Sequence, residues 1–225
     1  MNKEFIETMV LTFELATITT LILLLIGIPI ASFLAFSRMR FKSIFETIVS
    51  MPLVLPPSVL GFYLLIAFSP VSVIGAFLSE HGINLAFSFE GLVIGSVIFS
   101  LPFMVHPIQS ALSGISPSLF EASYTLGKSK LETMTRVVLP SIKHGLISGI
   151  VLAFSHTVGE FGVILMIGGN IPDETRVASI AIYDEVESLN FTLAHQYALT
   201  LFLVTFAILL IVYTLNKKSL KESMI

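Results

Sequence analysis

Three side chains that can carry charge lie inside long apolar stretches of the sequence, and they are the first candidates for chemistry. Glu160 follows Gly159 in a segment that also holds His156, and His106 lies in a separate apolar segment. Two interpretations of Glu160 carry equal weight: a gate or interface contact paired with Arg176 or with helix-end amides, and a structural pair that is buried or snorkels. The histidines are interpreted as hydrogen-bonded interior groups, because no other metal-ligand type stands near them in sequence.

Catalytic chemistry is not expected from the remaining residues. The sequence contains no cysteine, which excludes disulfides and thiolate metal sites. No Gly-x-x-x-x-Gly-Lys loop is present, so ATP would have to be hydrolysed by another subunit. An intramembrane hydrolase needs a metal-ligand cluster or a paired nucleophile and base, and the sequence shows neither arrangement. We therefore expect no catalytic residue, no metal and no cofactor, and a net charge of −3 without a basic block predicts no nucleic-acid partner.

The composition predicts an all-α membrane protein with several spans. Of 225 residues, 55% are hydrophobic and 12% are charged. Apolar stretches of this length cross the bilayer as helices. We predict one transmembrane domain over residues 1–225, with polar outer loops at 70–90 and 170–190 and five spans, at about 14–37, 45–69, 91–112, 142–169 and 193–215.

The distribution of basic residues predicts the orientation of these spans. Ten Lys and Arg fall in three segments on one side, and only Lys3 and Arg176 fall on the other. Because basic residues concentrate on the cytoplasmic side, the N-terminus is expected outside and the C-terminus in the cytoplasm. The ten inner residues are Arg38, Arg40, Lys42, Lys128, Lys130, Arg136, Lys143, Lys217, Lys218 and Lys221.

The second span is unusual in holding three prolines within six positions. Pro52, Pro56 and Pro57 interrupt it, and the last two lie roughly 16 Å from its inner end at ~1.5 Å per residue, near the membrane centre. Prolines there free backbone carbonyls, which are tolerated in a protein interior or beside a watery cavity. A packed kink and a path lining are both compatible with one such proline, and three together favour the path, with Ser58 beside it.

The longest polar interruption, residues 121–140, predicts two short helices on the cytoplasmic side. Gly127 suits the left-handed residue between them, and the second helix is expected to stop before Pro140. The first helix carries more apolar surface than a solvated loop needs, which predicts a docking surface for another protein. Capping boxes are predicted at Ser118 with Glu121 and at Ser129 with Glu132, and the apolar residues are Leu119, Phe120, Ala122, Tyr124 and Leu126.

This stretch resembles the EAA loop of ABC importer permeases. The pattern Glu-Ala-Ala, three residues, Gly, nine residues and Ile-x-Leu-Pro fits at every spacing, with Ser123 in place of the second Ala and Val137 in place of Ile. The resemblance implies a type I ABC importer permease fold in which a cytoplasmic segment, about 113–140, inserts into a groove of an ATPase. The residues that would couple to the ATPase are Glu121, Ala122, Ser123, Leu126, Gly127 and Pro140.

Two further stretches resemble the molybdate-type (molybdate/tungstate) branch of these permeases. They are MPLVLPPSVLGFYLL at 51–65 and GEFGVILMIGGNIPDETRVASIAIY at 159–183, where Asp173 replaces the usual Gly. The third span of this family is also resembled by residues 101–112, LPFMVHPIQSAL, with His106 where Arg is common. The resemblance implies a translocation path or gate that includes Pro52, Pro56, Pro57, Ser58, Gly159, Glu160, Phe161 and Gly162.

The resemblance also implies the partners and the mode of action. A multi-pass permease of the cytoplasmic membrane would form a homodimer in the lipid bilayer and carry the oxyanion by alternating access. A dimer of cytoplasmic ABC ATPase subunits would drive it, and an extracytoplasmic binding protein would deliver the ion. Sulfate-type permeases share much of the pattern and remain an alternative. An autonomous secondary carrier or channel is the alternative from another class, although five spans cannot be halved into inverted repeats.

Overall fold

The structure is a computed structural model that describes residues 3–222, with side chains up to residue 214. Lys217, Lys218 and Lys221 of the orientation count lie outside the described side chains. The described residues form helices and no strand. The helices are α1 (Lys3–Phe36), α2 (Lys42–Val54), α3 (Pro57–Phe68), α4 (Val73–Glu80), α5 (Phe89–Ser113), α6 (Pro117–Thr125), α7 (Lys130–Thr133), α8 (Leu139–Ser141), α9 (Lys143–Val158), α10 (Gly162–Gly168), α11 (Ala178–Glu187) and α12 (Phe191–Glu222), with a π turn at Met134–Val138.

Three continuous helices within the described range are long and apolar enough to cross a membrane. They are α1, α5 and α12, the last over Phe191–Thr214. Two bent pairs meet the same criterion, α2 with α3 and Lys130–Ser141 with α9, at angles of 111° and 74°. The predicted five spans are reached when each bent pair counts as one crossing.

The buried side chains show the level at which each helix packs. An upper core contains Leu15, Phe68, Leu92 and Val163, and a lower core contains residues further along α1 and α5 together with Val49 of α2. Helices α1 and α5 therefore run from the upper to the lower core. The chain runs the opposite way from α2 to α3 and from α9 to α10, since Val49 and Ala153 lie in the lower core and Phe68 and Val163 in the upper core. The lower-core members of these helices are Leu23, Leu34, Val49, Met104, Ile108, Leu112 and Ala153.

A third cluster closes the upper end of the bundle. The rings of Phe5 and Tyr197 stack at 4.6 Å, and Met9, Ala178 and Ala181 are buried with them. Because Tyr197 lies near the start of α12, this helix also descends from the upper end. The first span is longer than predicted, since α1 begins at Lys3 and its added turns form this cluster.

The second span breaks at one point, and the prediction that Pro52 interrupts it is wrong. Pro52 lies inside α2, whereas Leu55 and Pro56 separate α2 from α3. Pro57 is the first residue of α3, a position where the missing N–H costs little because it has no intrahelical acceptor. The result is a sharp corner between two intact helices.

The outer loops and the fourth span contain more helical structure than predicted. The fourth span is interrupted after Val158, where α9 ends before α10. Residues 170–190 are not simply a polar loop, because α11 lies within them and buries Ala178 and Ile180. Thr12 Oγ1 of α1 accepts a hydrogen bond from the Ala178 N–H at 2.8 Å and so caps α11 across helices. Loop 70–90 contains α4, whose N-terminus is capped by Ser72.

Pro140 does not end the second cytoplasmic helix, contrary to the prediction. It lies inside α8, directly after the π turn, and the chain bends at Ile142 before α9 begins. The proline occupies the first turn of this short helical segment, where a missing N–H is tolerated. The polar segment is therefore joined to the fourth crossing by a bent but nearly continuous helix.

Candidate functional site

The two helix breaks predicted as path residues meet in space. A Cβ atom added to Gly162, at the start of α10, would lie 2.8 Å from Pro57 Cβ and 3.6 Å from the Ser58 backbone nitrogen. Only a residue without a side chain allows α3 and α10 to approach this closely, because protein interiors have no spare volume. The corner between α2 and α3 therefore rests on the interruption between α9 and α10. Hereafter Pro57, Ser58 and Gly162 are called the break contact.

Glu160 lies in the interruption between α9 and α10 and is buried, with 3% of its surface exposed. Neither carboxylate oxygen has a hydrogen-bond partner among the described residues. Ser96 Oγ of α5 is also buried without a partner. The backbone carbonyl of Glu160 is held by α11, because Ser179 Oγ donates to it at 2.6 Å. A buried carboxylate without a hydrogen-bond partner is costly.

Of the two partners considered for Glu160, Arg176 and helix-end amides, Arg176 is paired elsewhere. The Arg176 guanidinium is almost fully buried and contacts the carboxylates of Glu4, Asp184 and Glu185, the last two at 3.0 and 3.3 Å. These contacts tie the outer end of α1 to α11. These three carboxylates bind the two terminal nitrogens of the guanidinium, and Nε has no hydrogen-bond partner among the described residues.

Both histidines in the apolar segments form hydrogen bonds, as predicted. His156 Nδ1 lies 2.9 Å from Ser100 Oγ, and its ring stacks on Phe103 with a centroid distance of 3.9 Å. Ser100 Oγ is also 3.0 Å from Thr157 Oγ1, so one hydroxyl joins α5 to two residues of α9. His106 Nε2 lies 3.2 Å from Ser50 Oγ of α2.

The cytoplasmic polar segment is a compact unit with locally satisfied helix ends. Gly127 has a φ of +74°, and the N–H groups of Gly127 and Lys128 donate to the carbonyls of Tyr124 and Ser123 at 2.9 and 3.2 Å. This is the Schellman arrangement, and it confirms the predicted left-handed role of Gly127. The capping box of Ser129 with Glu132 is also confirmed.

The predicted capping box of Ser118 with Glu121 is wrong. Ser116 is the N-cap of α6, and its Oγ accepts the Ser118 N–H at 3.4 Å. Pro117 takes the first helical position, so the cap has to precede it. In the second helix, the Ser129 backbone N–H that donates to Glu132, and secondarily the charge of Lys128, lower the pKa of the Glu132 carboxyl below its ordinary value.

Two contacts hold the segment together and fix it to the bundle. Ser123 Oγ and Thr133 Oγ1 lie 2.8 Å apart and are buried, so they join α6 to α7. The Phe120 ring packs edge to face on Phe36 at the inner end of α1, with a centroid distance of 5.4 Å. Apolar side chains nevertheless remain exposed on its free surface, namely Tyr124, Leu126 and Leu131. Hereafter residues 116–141 are called the coupling segment.

Known proteins match this chain over nearly its full length. The profile of the family described as binding-protein-dependent transport system inner membrane component matches residues 27–221. The molybdenum transport system permease protein ModB of Azotobacter vinelandii is 45% identical over 205 residues, 91% of each chain. The sulfate transport system permease protein CysT of Synechocystis sp. is 31% identical over 212 residues, which are 94% of this chain and 74% of that protein.

A solved structure supports the same fold. The structure of a bacterial ABC transporter involved in the import of the acidic polysaccharide alginate matches with a TM-score of 0.82 and 18% identity. The match covers 97% of this chain and 80% of that one. The chain therefore belongs to the family of binding-protein-dependent transport system inner membrane components and is a multi-pass permease subunit of an ABC importer.

Proposed function

We propose that this permease carries molybdate, or the chemically similar tungstate, across the cytoplasmic membrane. The observation that carries this proposal is the 45% identity to a molybdenum permease, extending over 91% of each chain. The PLVLPP corner and the GEFG interruption, which the sequence comparison with the molybdate branch singled out, are the two breaks that touch in the structure. The two motifs that resemble molybdate-type permeases therefore lie at one contact between helices.

The driving force is proposed to come from a separate ATPase that docks on the coupling segment. Leu126 is 79% exposed, and Tyr124 and Leu131 are exposed beside it. Apolar side chains on a cytoplasmic polar segment gain free energy by entering a groove of a partner. Because the segment continues through α8 into α9, a displacement imposed on it would reach the interruption that holds Glu160.

The path is proposed to run between two copies of the permease, beside the break contact. Pro56, Pro57 and Ser58 are exposed on the surface of a single chain, as residues at an interface or a path must be before assembly. The Ser58 hydroxyl and the N–H groups at the start of α3 are suitable donors to oxyanion oxygens. Glu160 would not bind the anion directly, since like charges repel. An S58A variant with unchanged uptake kinetics would count against this placement.

The decisive experiment measures ATP hydrolysis by the reconstituted complex of this permease, its cognate ATPase and its binding protein. Molybdate, tungstate and sulfate are titrated separately, and we expect stimulation by the first two at far lower concentrations than by sulfate. No stimulation by any of the three, with the complex intact, would contradict the oxyanion assignment.

Sulfate is the second candidate because a sulfate permease is 31% identical over 94% of this chain. Stimulation by sulfate at concentrations equal to or below those of molybdate would assign the chain to that branch. An autonomous carrier predicts uptake by the permease alone, so proteoliposomes without ATPase serve as the control. Loss of ATPase co-purification in Glu121 or Gly127 variants would support the docking proposal.

A further inference from the structure

Helix α2 carries a polar stripe that the sequence comparison did not single out. Ser43, Glu46, Thr47 and Ser50 are spaced by three, four and seven positions, so they lie along one face of the helix. A second face packs into the lower core through Val49. A third face is apolar and exposed. Its members include Ile44 and Ile48, which are 54% and 58% exposed.

Helix α5 holds the stripe in place from one side. Gln109 Nε2 donates to Glu46 Oε1 at 3.1 Å, and Lys42 Nζ lies 3.4 Å from the same carboxylate. His106 Nε2 pairs with Ser50 Oγ at 3.2 Å. The other side is open and forms a groove of about 510 Å³ that continues past Ser50 to Leu55 at the corner. The stripe is therefore a preformed polar surface whose open side is free.

The groove extends from the predicted cytoplasmic surface into the membrane. Twelve helical positions separate Ser43 from Leu55, which corresponds to ~18 Å at ~1.5 Å per residue, more than half of a hydrocarbon layer of ~30 Å. The polar groups occupy the part nearest the mouth, since seven positions, ~10 Å, separate Ser43 from Ser50, and the deeper lining is Met51, Val54 and Leu55. A carboxylate such as that of Glu46 cannot face lipid without a large cost, so this part of the groove has to face water or another protein surface.

We propose that this groove is the cytoplasmic half of the translocation path, through which a hydrated oxyanion leaves toward Lys42. The proposal rests on the proposed transport function. The Thr47 hydroxyl donates to the Ser43 carbonyl at 2.8 Å, so the hydroxyls of Ser43 and Ser50 are the ones that can donate to anion oxygens, whereas Glu46 repels a dianion and keeps the groove from holding it. Conduction requires that each site bind the ion weakly enough for the ion to leave, and this mixture of hydroxyl and carboxylate groups meets that requirement.

The charged groups that face the groove balance each other at its mouth. Glu46 is paired with Lys42, and His106 from α5 is engaged with Ser50. The rival explanation is that the stripe packs against the same helix of a second copy, because small hydroxyl residues also mediate contacts between helices in membranes. Water access separates the two explanations.

The absence of cysteine from the sequence allows a direct test. Ser43→Cys, Thr47→Cys and Ser50→Cys are made singly, with Ile44→Cys and Ile48→Cys as matched controls on the exposed apolar face. The complex with its ATPase is reconstituted in vesicles with the cytoplasmic side outward, without nucleotide. A membrane-impermeant anionic methanethiosulfonate is added, and its attachment to this chain is followed by mass.

We expect the stripe variants to react at least about tenfold faster than the controls, because a thiol in hydrocarbon loses tenfold of its reactive thiolate for each unit by which its pKa rises. Molybdate at high concentration should slow the reaction at position 50. Equal rates at stripe and control positions would overturn the proposal.

ATP-driven release of molybdate from the same vesicles, loaded inside with the ion and the binding protein, separates failure of this proposal from failure of the proposed function. Fast labelling of the stripe without stimulation by molybdate, tungstate or sulfate would reject the substrate and leave the groove in place. Normal molybdate release with an unreactive stripe would reject the groove alone. Co-purification of the ATPase with each variant verifies folding. Each of the three stripe positions tests the proposal separately.

Discussion

The coupling segment and the break contact are built in opposite ways. In the coupling segment, Ser116, Gly127 and Ser129 each cap a helix end within a few positions of themselves. The break contact instead joins Pro57 to Gly162, from opposite halves of the chain, with no hydrogen bond between them recorded in the described structure. One region is stabilised by local hydrogen bonds, the other by close packing of backbone.

Because of this difference, substitutions in the two regions are expected to affect stability differently. A locally capped unit can move as a rigid body, and a single lost cap weakens it only by the energy of that cap. A contact without space for a methyl group tolerates no added volume, because packed interiors shift only at a cost. The variants below test this contrast in order of decreasing expected effect.

Gly162→Ala should have the largest effect. The new Cβ would lie 2.8 Å from Pro57 Cβ, a ring atom next to the backbone that cannot rotate away. Overpacking of this kind costs about 1–3 kcal/mol, so we expect a lower midpoint in thermal unfolding of the purified complex and reduced oxyanion uptake.

The matched control for this variant is Gly159→Ala, at the other end of the same interruption. Its Cβ would meet nothing closer than the Ser155 carbonyl oxygen at 3.6 Å, an ordinary contact. Its backbone is in the right-handed helical region, which alanine adopts readily. Equal losses in both variants would show that the interruption, and not the contact with Pro57, is what the methyl group disturbs.

Glu160→Gln tests the unpaired carboxylate. The neutral amide is cheaper to bury and can donate to Ser96 Oγ, which has no partner of its own. Relief of an unsatisfied buried charge is worth about 1–3 kcal/mol, so the unfolding midpoint should rise. Glu174→Gln, at an exposed position of the loop before α11, should leave it unchanged.

Uptake then decides between the two interpretations of Glu160. A stabilised E160Q complex with reduced uptake supports a gate that uses the charge. A stabilised complex with normal uptake supports a structural position. A lower midpoint would instead indicate that the carboxylate gains a cationic partner in the assembled complex.

Features set by neighbouring residues were predictable from the sequence. Gly127 and the Ser129–Glu132 box depend on positions within one turn, and both are confirmed. The error at Ser118 is local as well, because Pro117 at the first helical position requires Ser116 as the cap. The prediction of five crossings rests on apolar lengths, since the bilayer fixes how many residues a span needs, and the described helices give three, or up to five if each bent pair is one crossing.

Features that depend on distant residues were not predictable. Arg176 was one of two partners considered for Glu160, yet the fold brings Glu4 from the start of α1 and two carboxylates of α11 to it instead. Helix α11 was missed because its acidic residues suggested a loop, whereas Ala178, Ile180 and Ala181 recur at buried positions. The break contact could not be predicted because it forms only in the tertiary fold, although its three residues had each been named as candidate path residues.

Gly127→Ala should have a smaller effect than the break-contact variant. Nothing lies within 4 Å of the added Cβ, so the only cost is the left-handed backbone conformation, about 1–2 kcal/mol. We expect weaker co-purification of the ATPase with an almost unchanged unfolding midpoint of the bundle. Gly114→Ala, where φ is −81°, is the control. A loss as large at Gly114 as at Gly127 would contradict a specific role for the left-handed turn.

Ser123→Ala and Thr133→Val have the smallest expected effect, and Ser123 is one of the two departures from the family pattern inside the coupling segment. Each single change removes one hydroxyl of the buried 2.8 Å pair and leaves the other without its partner, at a cost of about 0.5–1.5 kcal/mol. The double variant should cost about as much as one single variant, because neither hydroxyl is then left alone. Hydrogen exchange of the α6 and α7 amides measures this locally. If the two single effects simply add, the pair does not join the helices, and Phe120 against Phe36 is the contact that fixes α6.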